Sequence, residues 1–407
     1  MRRRTKLAAA VFPGAAAQIR SAPTLSHKRT AEPMKSMNTR PLTTHPSGEL
    51  PRREFLQFLG AGALGIALAM RNAAAADAGA PAASPAVPRS GPKQLRGLFP
   101  IGQTPFTEDD KINLEALAAE VAFCNRGGVH GFVWPQIASG WSVLSEAERM
   151  AGAEAILAAG KGGSTALVIG VQDKAADMAA VARYAQHAAQ HGADAIVSLP
   201  PANVTDEKVL LDYYQQVGRL TDLPLFVQSQ GKMSIDLIVE IFNTVPTVRQ
   251  VKDEAGDPLA RIAELRRRTN NQLTVFSGNG VRTMINEMEL GFLGHCPTTG
   301  LSDVYAAAFD LWHANRHQEA FDMFGRICAF ESMGTTTMSG VLIARGVFPA
   351  NVKSRRAPPT PGVDVTPTPG SGGGRGGMGG AQHPVPHLDD QQVRVALDHY
   401  LKPYLRA

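Results

Sequence analysis

The 407-residue chain has only three cysteines, Cys124, Cys296 and Cys328, scattered and odd in number. They show neither metal-ligand spacing nor the count of a disulfide framework, so they read as free buried thiols. No P-loop occurs, and GxGxxG spacing falls only inside the apolar stretch at Gly60–Gly65 and in the glycine-rich tract 372–379, neither of them placed between an expected strand and an expected helix, which argues against a dinucleotide or a nucleoside triphosphate. A basic face is missing too, despite a formal net charge of +5. Residues 1–76 hold 12 Lys+Arg and 3 Asp+Glu, which leaves 29 against 33 in the remainder, a net charge of −4. The excess of base belongs to the first segment, and the rest offers no electrostatic case for nucleic acid. The apolar stretch from Phe58 to Met70 is diluted by Gly and Ala and falls short of a membrane span.

Arg52-Arg53 precede that stretch and Ala73 to Ala76 follow it, the layout of a twin-arginine export signal with a small-residue cleavage region. The expectation is a signal peptide over 51–76, after an N-terminal extension at 1–50 that exceeds what such a leader needs. Met34 and Met37 are alternative starts. An Ala/Pro/Ser-rich linker follows at 77–94. A periplasmic protein is expected, with no stable membrane insertion once the signal is removed.

From residue 95 the pattern changes to apolar runs alternating with amphipathic stretches, and 44% hydrophobic residues suffice for a large core. Strands are expected at 97–101, 131–134, 166–171, 195–199, 223–227, around 248–254, 273–277 and 291–296. Helices are expected between them at 113–126, 145–159, 175–191, 207–220, 234–243, 258–268 and 281–290. Ser145 and Glu148 have capping-box spacing, and Ala166 to Val171 is apolar throughout, as in a strand buried on both faces. Eight strands alternating with helices in roughly 200 residues predict a (β/α)8 TIM barrel over 95–300 rather than an open doubly wound sheet. Further helices over 301–354 form a C-terminal extension. A Pro/Gly-rich insertion at 355–387 cannot bury a core and is expected to be disordered. A terminal helix follows at 388–407.

The chain is organised around Val248-Arg249-Gln250-Val251-Lys252-Asp253-Glu254, a strand that ends in a turn at Ala255-Gly256-Asp257-Pro258. Lys252 is thereby delivered to the barrel mouth, where parallel barrels keep their chemistry. An amine freed of its proton there attacks a carbonyl. Asp253 and Glu254 are read as tuning or screening Lys252 rather than binding metal, because adjacent strand residues point to opposite faces. His295 and Cys296, at the end of the eighth strand, are expected to face the mouth. Trp134 and Trp141 bracket the loop after the second strand and read as core or interface, or as the lining of a carbohydrate-sized pocket.

Several short motifs occur in order and at barrel spacing: Thr104-Pro105-Phe106, Leu144-Ser145-Glu146-Ala147-Glu148-Arg149, Gly192-Ala193-Asp194-Ala195, Pro200-Pro201, Leu223-Pro224 and Val251-Lys252-Asp253. Through them the chain resembles the dihydrodipicolinate synthase and N-acetylneuraminate lyase family of class I aldolases, over about residues 95–350 and again in the last helix. The resemblance implies a Schiff base between Lys252 and pyruvate or another small 2-oxo acid, no metal or organic cofactor, and a homo-oligomer, dimer or tetramer.

Two departures accompany it. The family's Gly-Thr-Thr-Gly-Glu loop, which holds the substrate carboxylate, is replaced by Pro135-Gln136-Ile137-Ala138-Ser139-Gly140-Trp141. One register sets Ile137 and Ala138 against the two threonines, and the register shifted by one sets Ala138 and Ser139 there. The family's proton-relaying tyrosine on the fifth strand is replaced by Gln228, which cannot titrate, and Lys232 stands near the place of an arginine. The expectation is an aldolase, lyase or dehydratase acting on a small 2-oxo acid, distinct from the lysine-biosynthetic enzyme. Lys252 is its nucleophile, and Ser139, Ala138, Gln228 and Cys296 contact the substrate. The second reading is a non-catalytic periplasmic ligand-binding protein on an aldolase-derived barrel.

Overall fold

The computed structural model describes residues 93–278, 283–334, 339–355 and 387–407. The expected leader, nearly all of the linker and nearly all of the Pro/Gly-rich insertion lie outside the described residues. The eight strands are β1 (Gly97–Leu98), β2 (Gly131–Trp134), β3 (Ala166–Gly170), β4 (Ala195–Ser198), β5 (Leu225–Ser229), β6 (Val248–Asp253), β7 (Thr274–Ser277) and β8 (Gly294–His295). All pair in parallel in the order β1-β8-β7-β6-β5-β4-β3-β2. A parallel bridge between Ile101 and Val133 brings β1 to β2 and closes the ring. This is the (β/α)8 barrel with C-terminal helices that the alternation predicts.

The helices are α1 (Leu114–Arg126), α2 (Glu146–Ala159), α3 (Met178–Gln190), α4 (Glu207–Val217), α5 (Ile235–Thr244), α6 (Pro258–Arg268), α7 (Met284–Glu289), α8 (Ser302–His313), α9 (His317–Ser332), α10 (Gly340–Ala344) and α11 (Asp390–Tyr400). The starts of α1 to α6 are set by side-chain caps. Asn113, Asp177, Asp206, Ser234 and Asp257 each accept an amide of the first turn, and Ser145 and Glu148 close the expected capping box. Several boundaries differ from the sequence reading, the first and eighth strands being shortened to two residues each, and two of the differences have a plain cause or consequence. Strand β5 begins at Leu225, past Pro224, and runs on to Ser229, which brings Gln228 into the sheet. The last helix stops at Tyr400, because Pro403 cannot continue it and the chain tightens into a 3-10 turn over Lys402–Tyr404.

Strand alternation divides the core in two. Phe132, Trp134, Leu167, Ile169, Ile196, Val227 and Val251 pack outward in the cluster shared with the helices. Phe99, Val133, Val168, Val197, Phe226, Phe276 and Cys296 form a separate cluster inside the ring. Three rings fill its centre, with Phe99 and Phe276 edge-on at 5.1 Å and Phe226 5.2 Å from Phe276. Each fully buried phenylalanine contributes about 2 to 3 kcal/mol through lost apolar exposure. Gly294 is required here, since a Cβ on it would lie 2.0 Å from the Phe276 ring. The barrel is therefore plugged, and space for chemistry is left only at its mouth.

Outside the ring, Asp303 of α8 ties the C-terminal extension to the barrel. Arg345 donates to it through both terminal nitrogens, at 2.6 and 2.8 Å, and the amides of Arg406 and Ala407 donate to Asp303 Oδ2. Among the described residues, no helix is long and apolar enough to cross a membrane.

Candidate active site

The alternation of β6 decides which side chains reach the mouth. Val251 faces the helices, and Asp253 turns the same way, accepting from Arg261 Nε of α6 at 2.8 Å and from the Ser229 hydroxyl. Lys252, between them, points into the barrel and is only 7% exposed. Glu254, two residues on, falls on the same side. Its Oε1 lies 3.3 Å from Lys252 Nζ.

Gln228 completes this group. It stands opposite Lys252 in the β5–β6 register, and its Nε2 donates to Glu254 Oε2. Its own Oε1 is buried with no hydrogen-bond partner among the described residues, so one acceptor remains open beside the lysine. An unmet buried acceptor costs about 1 to 3 kcal/mol. Gly278, at the end of β7, makes room for the carboxylate, because a Cβ there would lie 2.1 Å from Glu254 Oε1. Cys296 belongs to the same neighbourhood. Burial pushes its thiol up to about 12 against the opposing effect of Lys252, so at neutral pH it is an apolar wall rather than a nucleophile.

The loop after β2 is held from within. Trp134 Nε1 donates to Thr104 Oγ1 at 2.9 Å, and the Thr104 hydroxyl donates to the Ser139 carbonyl at 2.6 Å. Ser139 Oγ accepts the Gln136 amide at 3.0 Å. The amides of Ser139, Gly140 and Trp141 turn back to the carbonyls of Gln136 and Ile137. Ile137 and Ala138 open this 3-10 turn, where amides have no partner within the turn. Ala138 packs against the interior cluster that contains Cys296. On the neighbouring rim, a cavity of about 270 Å³ lies between the loops after β4 and β5, lined by Pro200, Asn203, Glu207, Gln230 and Lys232.

Lys252, Gln228 and Cys296 thus come together, and Ala138 joins through the interior cluster. Ser139 makes its described hydrogen bonds to its own loop and to Thr104. Two expectations need correction, and one open alternative is decided. His295 does not face the mouth: it is fully buried on the outer side, its Nδ1 2.9 Å from Glu287 Oε2 of α7. Burial raises the Glu287 carboxyl, but the contacts from His295, Thr283 and Ser277 outweigh it and hold the group below its usual value. Trp134 is core, its indole lying where a Cβ on Gly152 would be 2.3 Å away. Asp253 and Glu254 do not share a role, since Asp253 braces α6 and Glu254 meets the lysine. Glu254 bears out its reading as a residue that tunes Lys252; what sequence reasoning missed is its place among the site residues, although its i+2 spacing on a strand puts both on one face.

Residues 94–308 match the family model described as the dihydrodipicolinate synthetase family. The chain is 27% identical over 197 residues to a 4-hydroxy-tetrahydrodipicolinate synthase of Methanosarcina mazei, covering 47% of this chain and 65% of that protein. It is 26% identical over 265 residues to an N-acetylneuraminate lyase of Rhizobium meliloti, covering 63% of this chain and 84% of that protein. Among solved structures, a prophage protein of the dihydrodipicolinic acid synthase family from E. coli K12, in complex with pyruvate, superposes with a TM-score of 0.60. At 18% identity it covers 75% of this chain and 98% of its own, and that likeness is one of fold.

Proposed function

The chain belongs to the dihydrodipicolinate synthetase family, and on that premise we propose that it is a Schiff-base lyase or aldolase acting on a small 2-oxo acid, with Lys252 as nucleophile and Glu254 as its acid and base. The observation that carries the reading is the Lys252–Glu254 pair at 3.3 Å in a buried mouth. Glu254 accepts a proton from the lysine, and the free amine adds to the C2 carbonyl of the 2-oxo acid. The carbinolamine then loses its hydroxyl as water, with the proton returned from Glu254, and leaves an iminium. In the cleavage direction the C3–C4 electron pair flows into the iminium, and an aldehyde departs as its C4 hydroxyl proton passes to Glu254.

The Gln228–Glu254 pair supplies the titratable group that Gln228 alone lacks in place of the family's tyrosine. The different relay sets this chain apart from the lysine-biosynthetic enzyme. The Ser139 hydroxyl with the leading amides of the 137–139 turn receives the substrate carboxylate. The rim cavity beside Lys232 receives the part of the substrate beyond C4. The paired arginines at 52–53 support export to the periplasm, and family membership supports a homo-oligomer.

The test is intact-protein mass spectrometry after borohydride reduction with a panel of 2-oxo acids, pyruvate first. An adduct on Lys252 that is absent from Lys252→Ala, with release of an aldehyde on turnover, is expected. Binding of a 2-oxo acid with no reducible adduct would replace this reading with that of a ligand-binding barrel.

A further inference from the structure

On the outside of the barrel, away from β6, helices α2 and α3 bring two histidines and a carboxylate together. His187 lies in the last turn of α3 and His191, four residues on, caps its C-terminus, so both side chains leave the same side. Glu154 of α2 lies 33 residues before His187 in sequence, and its Oε1 is 2.9 Å from His187 Nε2. The same carboxylate oxygen is 3.9 Å from His191 Nε2. One ligand atom from each of the three lies within 4.8 Å of the others.

The tautomer of His191 follows from its partner. Its Nδ1 is 2.9 Å from the His187 carbonyl oxygen. A carbonyl only accepts, so the proton sits on Nδ1 and the neutral ring presents a lone pair at Nε2. That lone pair lies 3.9 Å from the Glu154 carboxylate oxygen. A ring nitrogen held by a backbone carbonyl while the other is free is the arrangement in which histidine binds metals. Ligands 2.0 to 2.2 Å from a tetrahedral zinc stand about 3.3 Å apart, between the two separations seen here. Two imidazoles and one carboxylate suit zinc and its neighbours in the transition series rather than magnesium or calcium.

We propose that Glu154, His187 and His191 form a binding site for a divalent transition cation of the zinc class. The three supply three ligands and leave a fourth position to water, since Glu154 and His191 are exposed. Binding displaces the proton on His187 Nε2 that the carboxylate now accepts. The cation clips α2 to α3 next to the buried Arg149, which holds the end of β3 by donating to the Gly170 and Gln172 carbonyls at 2.8 and 2.6 Å. The site takes no part in the Lys252 chemistry.

The untagged full chain, stripped with chelator and titrated with Co2+, tests this. One equivalent is expected to give a visible d–d absorption, displaced by one equivalent of Zn2+. His191→Ala and the His187→Ala/His191→Ala pair should lose affinity at least tenfold, with unchanged circular dichroism. Zn2+ should raise the melting temperature of the wild type and not of the double variant. Absorption of equal strength in the double variant, or none in the wild type, would overturn the proposal.

Discussion

Two groups of buried charge divide the labour of this barrel. Around Asp303 every acceptor is met: Arg345 donates to both oxygens, and the amides of Arg406 and Ala407 approach Oδ2. Around Lys252 the accounts are open. Glu254 is shared between the lysine and Gln228, the Gln228 oxygen has no partner among the described residues, and Gly278 keeps side-chain bulk away. A buried charge with all its hydrogen bonds made holds structure in place. One with an acceptor to spare is ready for a ligand, and the difference separates scaffold from site more sharply than burial does, since both groups are buried.

The largest effect that sharpens this contrast is chemical. Lys252→Ala should lower turnover roughly 10⁴-fold and abolish the reducible adduct, while equilibrium unfolding in denaturant stays nearly unchanged. The converse is Asp303→Ala, which leaves the Arg345 guanidinium buried without its carboxylate. It should cost about 3 to 5 kcal/mol of stability, read from the denaturant midpoint, while the folded fraction still forms the adduct. If Asp303→Ala lost the adduct without losing stability, the division would collapse.

Glu254→Gln tests the acid and base assignment within the site. Turnover should fall about 10² to 10³-fold, while the adduct still forms, more slowly, on Lys252. Unchanged turnover would move the proton relay to another group.

A smaller effect concerns Glu120 of α1, fully buried and taken up to about 8 by burial, against the hydrogen bonds from Thr299 and the Gln103 amide. Its folded value lies above the ordinary 4.5, so the folded state holds a proton that the unfolded chain has released between those two values. That contribution is fully present below the unfolded value and is lost as pH rises toward 8. Stability should fall by up to about 1.4 kcal/mol per pH unit in that window, and Glu120→Gln should remove this slope. The measurement is urea unfolding from pH 5 to 8.5.

Much of this was readable in the chain. Lys252 is at the end of β6 because Val248 and Val251 make a strand and Gly256-Asp257-Pro258 ends it. The barrel follows from eight such strands separated by capped helices. The pairing of Glu254 with the lysine was half legible, since strand period places them on one face. Gln228 was placed by its offset from Leu223-Pro224, but its role as the donor that carries Glu254 was not.

By itself, the sequence determined the local repeats: where each element starts and ends, which faces are apolar, and that a lysine closes the sixth strand. Caps, proline and side-chain periodicity act over a few residues, so they can be read in order. The tertiary structure alone decided which groups from distant segments meet. It turned His295 outward to Glu287, joined Gln228 to Glu254 across β5 and β6, and brought Glu154 to His187 across two helices. Those meetings depend on strand register and helix packing, which place atoms by the closure of the whole ring, and no short stretch of chain contains that information.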